Sequence, residues 1–221
     1  MIKVIIYKEP VLNVISDRIN FRRNLRPEDK YLPSYSSLRR SKTAIKDIIY
    51  SNNFKYFCTF TFDPKKHDRY SFIHCKNVML KWFRNQKDKH SPELKYICVP
   101  EYHKDGAVHF HALLANFNGR LKDSGHKTGQ GITIYNLTGF RAGLSTASPL
   151  DENLDAISAY ISKYVTKSLI SQFNRKRYFC SRNLSRPVKI RNSKLFQNTP
   201  PLFRTRIADF DNMQIYHLHK F

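Results

Sequence analysis

Acidic side chains are scarce in this sequence: 17 Asp and Glu stand against 39 Lys and Arg, a formal charge of +22 over 221 residues. Such an excess goes beyond what solubility requires and draws polyanions, of which nucleic acid is the commonest. A membrane-surface or ribosome-associated basic protein is the bland alternative. Long apolar runs are also missing, and none approaches the roughly 20 residues of a spanning helix, which argues against the membrane. The opening "MIKVIIYKEPVLNVI" is short and broken by Lys3, Lys8, Glu9 and Pro10, so no signal peptide is read there. Cysteine is limited to Cys58, Cys75, Cys98 and Cys180, widely spaced and without a C-x-x-C pair. That spacing argues against a zinc ribbon or a disulfide scaffold and for reduced, buried thiols in a cytoplasmic protein. Internal repeats and low-complexity tracts are absent too.

What is present suffices for a core, since hydrophobic residues make up 41% and aromatics 14% of the chain. The expectation is one domain with arms. Residues 18–42 are basic and punctuated by Ser and Pro, and they read as part of an N-terminal arm over 1–53. "FKYFCTFTF" (54–62) is dense in aromatic and β-branched residues and ends at Asp63-Pro64, a strand followed by a turn. From Ser71 to about Lys87, Phe72, Cys75, Val78 or Met79, and Trp82 or Phe83 recur at helical spacing. "LKYICVPEY" (94–102) and "AVHFHALLANF" (107–117) are strands joined by the turn signal "KDG". "NGRLKDSGHKTGQG" reads as a loop leading to a short strand, "ITIYNL". Beyond it "SPLDENLDAISAYISKYVTKSLI" is helical, with Pro149 and Asp151 suiting its start and Asp151, Glu152 and Asp155 its first turn. Strand, helix, three strands, helix and basic tail are the order of an α+β domain with an antiparallel sheet.

Two histidines stand one residue apart inside the apolar run of "EYHKDGAVHFHALL". If the chain turns on Lys104, Asp105 and Gly106, then His103 faces Ala107 and Glu101 faces His109. Period-2 alternation places His111 on the same face as His109. One face of one hairpin then presents two imidazoles and a carboxylate, three ligands for a divalent ion with positions left for substrate oxygen or water. The competing reading is incidental polar residues on a half-exposed strand. Phe110, Ala112 and Leu114 point the other way, into the core. A second H-x-H, His217 and His219, lies eight residues after Asp209, but without a glycine turn between and close to the chain end. It reads as an exposed or frayed tail. His67, His74, His90, His103 and His126 are unpaired and receive no role.

"YISKYVTK" is Y-x-x-K twice over. Tyr160 and Tyr164, four apart on a helix, lie one turn above the other, and each is followed at i+3 by a lysine, Lys163 or Lys167. Core aromatics beside a solvated lysine face would explain this pattern. So would phosphoryl transfer, in which a phenol of pKa about 10 attacks a phosphate helped by a cation and a metal.

Taken in order, "FCTFTF", the "HFH" strand with its upstream glutamate and the tandem "YISKYVTK" helix resemble the three motifs of HUH endonucleases. The two-tyrosine form with four-residue spacing is similar to the rolling-circle replication initiators of microviruses, small bacteriophages with circular single-stranded DNA. The resemblance covers roughly residues 54–185. It implies a ferredoxin-like or RRM-like antiparallel sheet with a metal site on its face and the tyrosine helix alongside. It implies nicking and rejoining of single-stranded origin DNA through a 5′-phosphotyrosine. Glu101, His109 and His111 would hold the metal, Mg²⁺ or Mn²⁺, Tyr160 and Tyr164 would be nucleophiles, and Lys163 and Lys167 would position phosphate. Because no Walker A sequence is present, unwinding would fall to a host helicase and the replication machinery. The setting implied is the cytoplasm of a bacterial host. A plasmid- or prophage-borne initiator, a transposase of the same superfamily and a non-enzymatic RRM-like binder remain as alternatives.

Arg175, Lys176, Arg177, Arg182 and Arg186, with Phe173, Tyr178 and Phe179 among them, suit a groove for single strands, in which cations track phosphates and aromatics stack bases. A charged, solvated surface is the competing reading. Residues 186–221 complete the chain as a basic C-terminal extension.

Overall fold

A strand that is apolar at alternate positions buries one face, whereas every residue of Val108–Ala115 is buried, and that requires a layer on each side of its sheet. The computed structural model supplies both layers. It describes residues 2–7, 35–150, 153–167, 177–186, 204–210 and 213–218. In chain order the elements are β1 (Ile2–Tyr7), α1 (Tyr35–Ser51), β2 (Tyr56–Phe62), α2 (Phe72–Lys89), β3 (Lys95–Tyr102), β4 (Val108–Ala115), β5 (Leu121–Lys127), β6 (Thr133–Leu137), β7 (Gly143–Pro149), α3 (Leu154–Lys167), β8 (Phe179–Cys180), β9 (Arg204–Phe210) and β10 (Met213–Leu218).

Two units divide the chain: Pro33–Ser185, and Met1–Leu32 together with Arg186–Phe221. The larger holds a seven-stranded sheet of order β5-β6-β7-β2-β4-β3-β8, in which every pairing is antiparallel. The class is thus α+β, a central antiparallel sheet flanked by helices, in keeping with a ferredoxin-like or RRM-like arrangement. Against one face α2 lays Phe72, Cys75, Met79, Trp82 and Phe83, which meet Cys58, Phe60, Phe62, Cys98, Phe110, Ala112 and Leu114. Ser71 caps α2 by accepting from the His74 N–H. The other face is covered by Ile45, Ile48 and Ile49 of α1 and Ile157 and Ile161 of α3, which meet Ile97, Val99, Leu113 and Ala115. Each fully buried Ile, Leu, Val, Phe or Met among them contributes about 1.5–3 kcal/mol. All four cysteines are free, three of them buried.

Several elements differ from what the sequence led us to expect. Residues 35–51, lying within the presumed arm, form α1; its apolar stripe is confined to Ile45, Ile48 and Ile49, and its first half is basic and serine-rich. β5 occupies what read as a loop. It is a polar edge strand with a bulge between Asp123 and His126, so no apolar alternation announced it. β7 went unread because "GLSTASP" is small and polar, although it pairs with β2 along its whole length. The tyrosine helix starts later than Pro149: the Asn153 carboxamide oxygen accepts from the Ala156 N–H, which makes Asn153 the cap. Asp151 and Glu152 lie outside the described residues.

The smaller unit carries a three-stranded antiparallel sheet of order β1-β10-β9. The C-terminal stretch is therefore not a frayed tail: His217 pairs with Lys3 on one side and Thr205 on the other. The strand signal was there in "MQIYHL"; its partner, β1, is more than 200 residues away in sequence, and local reading cannot see it. His219 lies outside the described residues.

Gly143 marks the closest approach in the large sheet, since a Cβ there would stand 2.1 Å from the Thr61 carbonyl oxygen. Gly143→Ala must force β2 and β7 apart, and we expect a loss of about 1–3 kcal/mol, read as a lower Tm in a thermal melt. An unchanged Tm would refute that approach.

Candidate active site

The hairpin of β3 and β4 places Glu101 directly opposite His109, the register that counting outward from the turn gives. The turn is closed by the His103 N–H donating to the Ala107 carbonyl and the Gly106 N–H donating to that of His103, with Gly106 at φ +85°. Glu101, His109 and His111 share the face covered by α1 and α3 and are all buried, at 8%, 8% and 6% exposure. They are not the half-exposed polar residues of the alternative reading. Polar groups sunk this far are costly unless partnered, and partners are present. Oε2 of Glu101 lies 2.7 Å from Nε2 of His111.

The neighbouring strand supplies further partners. Thr59 sits opposite His111 and Thr61 opposite His109, with Oγ1 to Nδ1 distances of 3.2 and 2.9 Å. These threonines were missed, yet "FCTFTF" carried the signal: Cys58, Phe60 and Phe62 alternate into the core, so Phe57, Thr59 and Thr61 must face the histidines. His103, given no role from the sequence, stacks on His109 with ring centroids 3.6 Å apart.

α3 brings both tyrosines to this face. Tyr164, 7% exposed, stacks on His111 with centroids 3.7 Å apart. Tyr160, 46% exposed, stands edge-on to Phe57 at 4.8 Å and to Tyr164 at 5.2 Å. Phe57 packs beside both, stacked on His111 at 5.6 Å and on Tyr164 at 6.3 Å. Thus Tyr164 meets His111 directly and Tyr160 stands beside it, and the core-aromatic reading of the pair fails for the half-exposed Tyr160. Lys163 is exposed; Lys167 closes α3, its side chain being outside the described residues.

Burial shapes the titration of the site. It pushes the Tyr164 phenol well up, with the hydrogen bond to Tyr160 adding to the effect, so Tyr164 stays protonated at neutral pH. His109 is lowered from 6.5 to about 4, first by burial and then by His103 and His111, against which Glu101 and Asp105 pull only partly. A neutral imidazole is the form that binds metal. Between about pH 6.5 and 4 the unfolded chain therefore binds a proton at His109 that the fold refuses. Stability contributed by this group is present above about pH 6.5 and lost as pH falls toward 4. Urea melts in chelator across that window should show His109→Gln with a flatter acid loss than the parent; parallel curves would contradict the assignment.

The residues fit a divalent ion in kind. A carboxylate only accepts, so Nε2 of His111 carries the proton toward Glu101 and Nδ1 accepts from Thr59. Because a threonine hydroxyl donates or accepts, it equally supports the other tautomer, with Nδ1–H held and Nε2 free as a ligand. As the side chains stand, Glu101 is closed on His111, and among the described residues no three His, Cys, Asp or Glu side chains surround a common point that could hold a metal ion. Binding would open the Glu101 to His111 contact.

The basic segment is divided. Arg182 and Arg186 are exposed. Arg177 is half-buried, its Nη1 without a partner among the described residues, and its pKa is lowered by burial and by Arg40 beside it. Phe179 belongs to the core against Phe83, Tyr96 and Phe110, and is not free to stack on bases. Phe173, Arg175 and Lys176 lie outside the described residues. No helix among the described residues is long and apolar enough to cross a membrane.

Residues 55–169, just over half of the chain, match the model of a family of replication-associated proteins of the ORF2 type. The match runs from the start of β2 to just past the end of the tyrosine helix. No curated protein and no solved structure matches significantly. The chain belongs to this family of ORF2-type replication-associated proteins, and its role lies in the initiation of DNA replication.

Proposed function

We propose that the protein is a two-tyrosine HUH endonuclease, resembling microvirus initiators, that nicks and rejoins single-stranded origin DNA for rolling-circle replication. The stacking of Tyr164 on His111, with Tyr160 beside it, is the observation that carries the reading: it sets two phenols, one of them half-exposed, against a buried His-Glu cluster. Glu101, His109 and His111 hold the divalent ion, Mg²⁺ or Mn²⁺. When bound, it supplies charge that polarises the scissile phosphate and stabilises its oxygens in the transition state.

The chain's own residues do the rest. Thr59 and Thr61 fix the two imidazoles through Nδ1. A tyrosine hydroxyl attacks phosphorus, its proton leaves to a neighbouring base or water, the P–O3′ bond breaks, and the 3′ oxygen departs to be protonated as a free hydroxyl. One phosphodiester replaces another, so rejoining needs no nucleotide hydrolysis. Tyr160, half-exposed, attacks first, and Tyr164, packed against both Phe57 and His111, acts on the regenerated origin. Lys163 and Lys167 steady the phosphate. Arg177, Arg182 and Arg186, with Arg175 and Lys176, track the strand; Arg177 beside Arg40 is a like-charge pair that a phosphate would relieve. A host helicase supplies unwinding in a bacterial cytoplasm, and the nicking centre is built on residues within 54–185, with α1 packed on the same face of the sheet.

The test is a labelled single-stranded origin incubated with protein and Mn²⁺ or Mg²⁺. The expected result is a protein-DNA adduct on a denaturing gel that chelator abolishes. Specific binding without adduct would instead favour the RRM-like binder. Cleavage and circle closure both carried out with one tyrosine alone would favour the plasmid initiator or transposase reading.

A further inference from the structure

On the face of the large sheet opposite the tyrosines, the end of α2 and the segments bordering β5, β6 and β7 enclose an open cavity of about 670 Å³. Gln86, His90, Arg120, Thr138 and Arg141 line it. Arg120, Arg141 and His90 stand exposed at its rim, and among the described residues no acidic side chain lines it. Gln86 is only 6% exposed, and among the described residues its carboxamide has no hydrogen-bonding partner. Its Nε2 lies 3.0 Å from where a Cβ on Gly139 would stand, so a side chain at that position would crowd the carboxamide. Beside it is a second donor without a partner among the described residues: Nε1 of Trp82, 6% exposed and 4.0 Å from the same point.

A buried donor without a partner, as Nε1 of Trp82 is among the described residues, is costly for a fold that gains nothing from it. A carboxamide offers one donor and one acceptor side by side, the pattern that pairs with the edge of a nucleobase. Two guanidiniums offer the forked donors that pair with phosphate. A carboxylate ligand would use the arginines and leave the Gln86 oxygen unmet. We infer that this cavity is a second nucleic-acid site, taking one unpaired nucleotide with its base edge on Gln86 and its phosphate on Arg120 and Arg141. It lies apart from the proposed nicking centre, separated from it by the sheet and the Phe60, Phe62 and Phe140 layer. A strand held there would be gripped while the other face cuts and rejoins.

Trp82 is the only tryptophan in the chain, so a single indole N–H resonance reports on the site. The full-length protein is titrated in chelator with each of the four deoxynucleoside 5′-monophosphates, and separately with inorganic phosphate. The expected result is a saturable shift of the indole resonance with at least one nucleotide in the millimolar range and none with phosphate alone. Arg120→Ala with Arg141→Ala, both exposed, should weaken that binding about tenfold or more, and Gln86→Met should abolish the preference among bases. No shift with any nucleotide, the same shift with phosphate alone, or undiminished binding by the arginine double variant would each overturn the inference. None of these readouts involves nicking, so they stand or fall separately from the proposed activity.

Discussion

Tyr160→Phe combined with Tyr164→Phe should leave a folded protein that forms no covalent adduct with DNA. The fall in strand transfer should be several orders of magnitude, since a removed nucleophile has no substitute in the site. The fold should survive. The change deletes two hydroxyls that bond to each other, and both rings stay in contact with Phe57 and, for Tyr164, with His111. Removing both partners of a hydrogen bond costs little, about 1 kcal/mol or less. The single variants divide the reaction. Tyr160→Phe should suppress the first cleavage, because the buried Tyr164 is poorly exposed to substrate and held protonated. Tyr164→Phe should cleave once and fail to resolve the product into a closed circle. Adduct formed by the double variant would move the nucleophile elsewhere.

Glu101→Gln should be nearly as severe for catalysis while leaving DNA binding largely intact. The amide keeps the size of the side chain but loses the charge that would bind a divalent ion, and we expect cleavage to fall about 10²-fold or more. Binding should be spared because the cations proposed to track the strand lie elsewhere. His111→Ala should abolish cleavage outright, with a further cost in stability of about 2–4 kcal/mol, because its ring is the surface on which Tyr164 packs. Comparing the two separates chemistry from packing. If Glu101→Gln nicks at the parent rate, the carboxylate is a structural partner of His111 and nothing more. His219→Ala should behave as the parent; loss of nicking there alone would mean that the wrong histidine pair had been chosen.

The site was legible in the sequence to a greater extent than the fold around it. A hairpin with a glycine turn fixes register by counting, so the opposition of Glu101 and His109 followed from the turn alone. The helical spacing of Phe72, Cys75, Met79 and Trp82 gave α2 for the same reason, a short-range period. What resisted reading was non-local. β7 is identified by what it pairs with, and "GLSTASP" has no apolar alternation because its neighbours supply the core. β5 is an exposed edge, where polar residues are the safe choice and leave no pattern. β1 and β10 are paired across nearly the whole chain. The threonines were legible and passed over: once Phe60 and Phe62 are assigned to the core, Thr59 and Thr61 have only the histidine face left.

Locating the covalent bond tests the central claim most directly. Full-length protein is incubated with a labelled single-stranded origin and Mn²⁺, digested with protease and nuclease, and the nucleotide-bearing peptide sequenced by mass spectrometry. The account predicts a 5′-phosphotyrosine at Tyr160 in the first turnover and at Tyr164 when Tyr160 is already occupied, with no modified peptide in chelator. A nucleotide carried by any other residue, or the same modification formed in chelator, would contradict it.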